Sequence, residues 1–223
     1  MRELFPSDER ILMSQMVLRH VFAVDLDENA VEVAKMNLWR ELIKLNPPKA
    51  FRWDNLGENE HVLPNLSLNL VSGDSLLGFA DPPKILEGRE EVRKLMELWE
   101  KFIENPPEDL EVLNEIKEIK ETLRGELDER YRELLREKLG EKAEALNNRF
   151  IHHPLEFFMA FFNPDGSLRG GFDFIVGNPP YVRIQNLKKE SPEYVEFLNR
   201  FYESAHKNYD LAIPFIERGL QPA

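Results

Sequence analysis

The stretch FDFIVGNPPYVR, residues 172–183, limits what this chain can fold into more than any other. An apolar run, Phe172 to Val176, stops on Gly177, Asn178, Pro179, Pro180 and Tyr181. Its alternation predicts a buried strand over 172–176. Consecutive prolines have no N–H to offer a sheet ladder, so that strand has to end here. A carboxamide and a phenol ring are left at its carboxyl end, which is where open α/β sheets put their ligand sites.

Two earlier strands are predicted to end on acids. HVFAVDLDENAVEVAKMNLWRELIKLN reads as strand, turn and helix. Val21 to Val24 is a short apolar strand ending at Asp25, and Asp27 or Asn29 can cap the helix that follows. Ala30, Val33, Ala34, Leu38 and Leu42 recur at helical spacing until Asn46, Pro47 and Pro48 end it. LSLNLVSGDSLLG is a second strand, with Leu66, Leu68 and Leu70 alternating and Gly73-Asp74 terminating it. SDERILMSQMVLR, upstream, reads as helix, and another helix is expected from Asp210 to near Gly219.

Between the second and third of these strands the periodicity changes. Val92, Leu95, Met96, Trp99, Phe102 and Ile103 form one helical stripe. After a break at Asn105, Pro106 and Pro107, a longer stripe runs through Leu113, Ile116, Ile119, Leu123, Leu127, Tyr131 and Leu134. Residues 83–148 are therefore expected to be a helical hairpin inserted in the sheet, with its charges on a solvated face and no part in chemistry. The flanking segments, 1–82 and 149–223, would be the two parts of one α/β core. His152-His153 lacks ligand partners at metal spacing, so polar loop residues and no metal are expected there.

Composition excludes some chemistry. The 223 residues include no cysteine, which removes disulfides, thiolate metal sites and cysteine nucleophiles. No apolar run approaches the roughly 18 residues of a membrane span. MRELFPSDERILMSQ carries no apolar signal core, so a cytoplasmic protein without a membrane partner is expected. A net charge of −12 argues against nucleic-acid binding over the whole surface, but not against a local basic groove.

Asp25 fits two uses, the ribose hydroxyls of a nucleotide cofactor or a plain helix cap. Asp74 fits an adenine amine or a turn. At 178–181 the Asn178 side-chain oxygen and the Pro179 carbonyl form an acceptor pair suited to a primary amine with two N–H donors. Tyr181 can stack on a flat heterocycle.

NPPY after a hydrophobic strand is similar to the catalytic motif of amino-group DNA methyltransferases acting on adenine. VFAVDLDENAVEVAKMNLW resembles their second-strand motif and LVSGDSLLG their third. GGFDFIVGNPPYVR followed by YDLAIPFIERGL most resembles the large type IIG modification-restriction fusion enzymes. The resemblance implies an α/β fold: an incomplete Rossmann-like S-adenosylmethionine-dependent methyltransferase sheet with an inserted α-helical hairpin. It implies S-adenosylmethionine as cofactor, held by Asp25, Leu26, Asp74, Ser75 and Leu76. It implies DNA as partner and a flipped adenine as substrate, with Asn178, Pro179, Pro180 and Tyr181 catalytic.

The family's glycine-rich first motif has no counterpart, because no glycine precedes Gly57. The expectation is therefore the middle portion of such an enzyme, a fragment or split subunit that needs a complementary chain carrying the glycine loop and first strand. Two other readings stay open. One is an inactive fragment acting as a partner or DNA-binding subunit. The other is a methyltransferase of glutamine side-chain amides or of RNA guanine.

Overall fold

A computed structural model describes residues 8–45, 64–104, 110–146 and 149–221. Helix α1 (Asp8–His20) leads into strand β1 (Ala23–Asp25), and helix α2 (Glu28–Leu45) leaves from it. Strand β2 (Leu70–Ser72) lies parallel to β1, pairing Leu70 with Ala23, Val71 with Val24 and Ser72 with Asp25. Parallel neighbours need a crossover, and α2 supplies it, packing against both strands.

The second strand is shorter than its alternation predicts. Leu66 and Leu68 are buried but sit in a turn, where the Leu70 N–H reaches the Leu66 carbonyl. The buried Asn69 amide explains why the turn wins over the ladder. Its nitrogen donates to the Leu18 carbonyl at 2.6 Å and to the Val21 carbonyl at 3.0 Å, tying the turn to the end of α1.

The inserted stripes become helices α3 (Glu90–Glu104) and α4 (Leu110–Leu139), followed by a 3-10 turn at Gly140–Ala145. They do not stand apart from the strands. α3 packs on α6 (Phe158–Phe161), and α4 packs on α5 (His153–Glu156) and on α8 (Pro192–Phe201). One core joins Trp99, Phe102, Phe157, Phe158 and Phe161 to Val31, Leu70 and Val71 of the strand pair and its helix. A second core joins Leu76, Leu77, Tyr131, Phe150, Phe197 and Tyr202. Helices α7 (Ile184–Glu190) and α9 (Ala212–Leu220) complete the described chain.

Two expectations need correction. Residues 172–176 form no strand among the described residues, and Phe174 and Val176 are 92% and 97% exposed. A strand leaves its N–H and C=O groups to water unless a neighbour pairs them, and no described segment pairs with these residues. Among the described residues the sheet is thus two parallel strands, and most of the regular structure is helical. His152 and His153 are core residues and not polar loop residues. His152 Nε2 lies 3.0 Å from Asp128, its Nδ1 accepts from the Phe79 N–H at 3.2 Å, and its ring stacks on Phe79. Burial holds the His153 imidazole down at about 3.

Glu156 is the buried charge that fixes α4 against α5. Its carboxylate accepts from Lys120 Nζ at 3.0 Å and from Arg124 Nη2 at 2.6 Å, and both cations are themselves buried. Burial alone would raise this carboxyl, but the Lys120 and Arg124 charges outweigh it and hold it at about 2. A depressed carboxyl contributes stability that is present above its ordinary value and lost as pH falls through the folded value. The unfolding free energy should therefore decline as pH drops from 4.5 towards about 2. Glu156→Gln should cost about 3–5 kcal/mol at neutral pH by stranding two buried cations, and should flatten that decline. Denaturant unfolding at a series of pH values checks both.

Candidate functional site

The parallel register brings two acids to one end of the sheet. Asp25 is the last residue of β1, opposite Ser72, and the Gly73 N–H donates to its carbonyl at 2.9 Å. Asp74 follows directly. The Asp25 carboxylate accepts from the Asp27 N–H at 2.9 Å, and Asp27 in turn accepts from the Asn29 N–H, which opens α2. Leu26 is 74% exposed beside it.

Asp74 is half-buried and held at both oxygens. Oδ1 accepts from the Leu76 N–H at 2.9 Å, and Oδ2 accepts from the Tyr194 hydroxyl at 2.7 Å. Burial pushes its carboxyl up against these bonds. Ser75 is half-exposed, whereas Leu76 is fully buried in the second core. Of the two leucines expected near a cofactor ring, Leu26 is therefore the one on the surface.

The turn after Asp74 is clamped from two directions. From below it, the Ile151 N–H donates to the Leu77 carbonyl and the His153 N–H to the Phe79 carbonyl. Gly78, at φ +121°, runs so close to this segment that a Cβ would sit 2.3 Å from the Ile151 carbonyl oxygen. From the other side, the Tyr202 hydroxyl donates to the Leu76 carbonyl at 2.6 Å, and Arg218 Nη2 donates to the carbonyls of Leu76 and Gly78. Sequence reasoning missed Tyr194, Tyr202 and Arg218. They lie 120 to 142 residues from their partners, and nothing local marks them.

The 178–181 turn is a separate exposed feature. Asn178, Pro180 and Tyr181 are exposed, Tyr181 by 79%, and Pro179 is half-buried. It hangs between two anchors. On the entering side Phe172 packs on Phe22, just before β1, and on Phe157 and Phe161. On the leaving side the Leu211 N–H donates to the Val182 carbonyl and the Ile184 N–H to the Tyr209 carbonyl, fastening the chain to the start of α9.

Two acids thus stand at or just past the carboxyl ends of adjacent parallel strands, and the exposed Asn178–Tyr181 segment lies apart from them. The chain belongs to the Eco57I restriction-modification methylase family, whose model matches residues 19–222. It is 39% identical to the type II restriction enzyme and methyltransferase RM.Eco57I of Escherichia coli, over 26% of this chain and 6% of that protein. It is 40% identical to the type II methyltransferase M.PaeR7I of Pseudomonas aeruginosa, over 35% of this chain and 12% of that one. A relative from Methanocaldococcus jannaschii is 24% identical over 85% of this chain and 21% of its own length. The chain thus spans under a quarter of each of these relatives. No solved structure matches it. No described helix is long and apolar enough to cross a membrane.

Two stability measurements check this geometry. Gly78→Ala should cost about 3 kcal/mol or more, because it combines a left-handed backbone with a backbone clash. The double variant Phe174→Asp, Val176→Asp should stay within about 0.5 kcal/mol of the parent, as exposed positions do, whereas Phe172→Ala should cost about 2–4 kcal/mol.

Proposed function

We propose that this chain carries the catalytic and part of the cofactor-binding machinery of a site-specific adenine DNA methyltransferase that uses S-adenosylmethionine. The observation that carries the reading is the exposed Asn178-Pro179-Pro180-Tyr181 turn in a member of a restriction-modification methylase family.

The residues present fit the cofactor in part. Asp25, ending β1, is suited to the two ribose hydroxyls; Asp74, ending the next strand, to the adenine amine; and exposed Leu26 to the flat ring. When bound, S-adenosylmethionine supplies an electrophilic methyl group on a sulfonium. The protein's own contribution lies in the turn. The exocyclic amine of adenine is a poor nucleophile because its lone pair is delocalised into the ring. The Asn178 side-chain oxygen and the Pro179 carbonyl would accept its two N–H bonds, localising that lone pair and stabilising the charge that develops on nitrogen. No ionised base is required before transfer, since the methylated amine sheds its proton readily. The base must leave the duplex to reach this turn, and exposed Tyr181 would stack on its face.

The site would be completed by a further strand. Among the described residues β1 has a ladder partner on one side, and residues 173–176 are exposed. A complementary segment carrying a glycine-rich loop would cover both, and would supply the contacts for the methionine carboxylate and amine. DNA and that segment are the partners proposed.

Asn178→Ala in the assembled enzyme should lower methyl transfer to duplex DNA by about 100-fold or more, the usual cost of removing an oriented polar group at a reacting centre. Mass-spectrometric quantitation of N6-methyladenine after single-turnover incubation reads the effect. Near-parental methylation would refute the assignment.

A further inference from the structure

The Asp74 carboxylate has a partner from far along the chain, and that partner has no role in the family-level reading. Tyr194 sits in the first turn of α8, and its ring packs on Phe197 with centroids 5.7 Å apart. We propose that Tyr194 is a positioning residue: its hydroxyl, 2.7 Å from Asp74 Oδ2, fixes the carboxylate that meets the adenine amine of the methyl donor. This rests on the reading of Asp74 given under the proposed function.

Three observations support the role. The Leu76 N–H takes one position on Oδ1 and the Tyr194 hydroxyl one on Oδ2. Each carboxylate oxygen accepts more than one hydrogen bond, so the group is held in a single rotamer and still has capacity for a ligand amine. Second, the neighbouring clamps act on backbone. Tyr202 and Arg218 bind the carbonyls of Leu76 and Gly78 and shape the turn, whereas Tyr194 touches the side chain that would meet the ligand. Third, the charges are arranged for it. Burial raises the Asp74 carboxyl, while the Tyr194 hydroxyl, the Leu76 N–H and the Arg218 charge pull it down. Tyr131 and Tyr202 are the other titratable groups that feel its charge. Burial and the Asp74 charge push the Tyr194 phenol upward, so it stays protonated and donates.

The test is a pH titration. Removing the Tyr194 hydroxyl removes a downward pull, so Asp74 should take up its proton at a higher pH. The carboxyl carbon of Asp74 is followed by NMR in the full chain and in Tyr194→Phe, between about pH 4 and 8. Tyr202→Phe serves as comparator. S-adenosylmethionine is then titrated to millimolar concentration at each pH into the parent and variant chains assembled with the complementary segment. The expected result is an upward shift of the Asp74 midpoint in Tyr194→Phe and little shift in Tyr202→Phe. Cofactor binding should weaken about tenfold in Tyr194→Phe, as for one hydrogen bond to a charged group, with its acid limb displaced upward by the same interval. An unmoved Asp74 midpoint overturns the proposal. So does tighter cofactor binding by Tyr194→Phe, which would make Tyr194 a plug. If the midpoint moves but neither assembled enzyme binds cofactor, the assignment of Asp74 to adenine is what fails and the positioning role falls with it. The pair itself would still stand, so the two failures are distinguishable.

Discussion

The crossing of residues 73–79 over residues 150–153 is the contact on which the rest of the molecule depends. Gly78 permits it, since any side chain there would enter the Ile151 backbone. Two backbone hydrogen bonds and the Phe79 N–H bond to His152 then lock the segments together. Phe79 packs against both cores, so this crossing joins the half built on the strand pair to the half built on α8 and α9. The pairing also fixes Asp74, whose loop has little freedom once Leu77 and Phe79 are held.

That geometry makes the inserted helices more than a decoration of the sheet. α4 brings Tyr131 under the turn, where its ring meets Phe79, Phe150 and His152. It also brings Asp128 to His152 and the Lys120 and Arg124 pair to Glu156. A buried carboxylate between two cations is poor evidence of net stabilisation, because desolvation offsets much of the attraction. It is a strong constraint on register, since a slip of α4 by one turn would leave three charges unpaired in an apolar surrounding. Helices with no chemical role would thus still set where Asp74 stands.

The sequence made the helices legible because their stripes are long and periodic, and α1, α2, α3, α4 and α9 appear close to where spacing puts them. It also placed Asp25 and Asp74 at the strand ends, since an acid after a short apolar strand is a local pattern. Strands fared worse for a physical reason. A helix satisfies its own backbone, but a strand exists only if something pairs with it. Leu66 and Leu68 alternate as a strand should, yet Asn69 offers the turn a better set of bonds. Residues 172–176 have the pattern and lack the neighbour. The turn clamps Tyr194, Tyr202 and Arg218 were illegible for the same reason in another form, because long-range pairing leaves no periodic trace.

The segment before Asn178 is anchored at its start and leaves its apolar side chains exposed. Phe172 is anchored on Phe22, so the segment starts beside β1. Ile175 lies near α9, where a Cβ at Gly219 would be 3.6 Å from its side chain. The two prolines and the residue before them favour extended backbone over helix, so collapse into a local helix is blocked from the carboxyl side. Burying Phe174 and Val176 would contribute about 1.5–3 kcal/mol each, and pairing their backbones adds to that. In the proposed enzyme, a strand placed between β1 and this segment would find two flanks among the described residues, an unpaired one on β1 and an apolar one on 172–176. In the proposed enzyme that single addition would bring the Asp25 and Asp74 end of the sheet and the Asn178 turn to one edge.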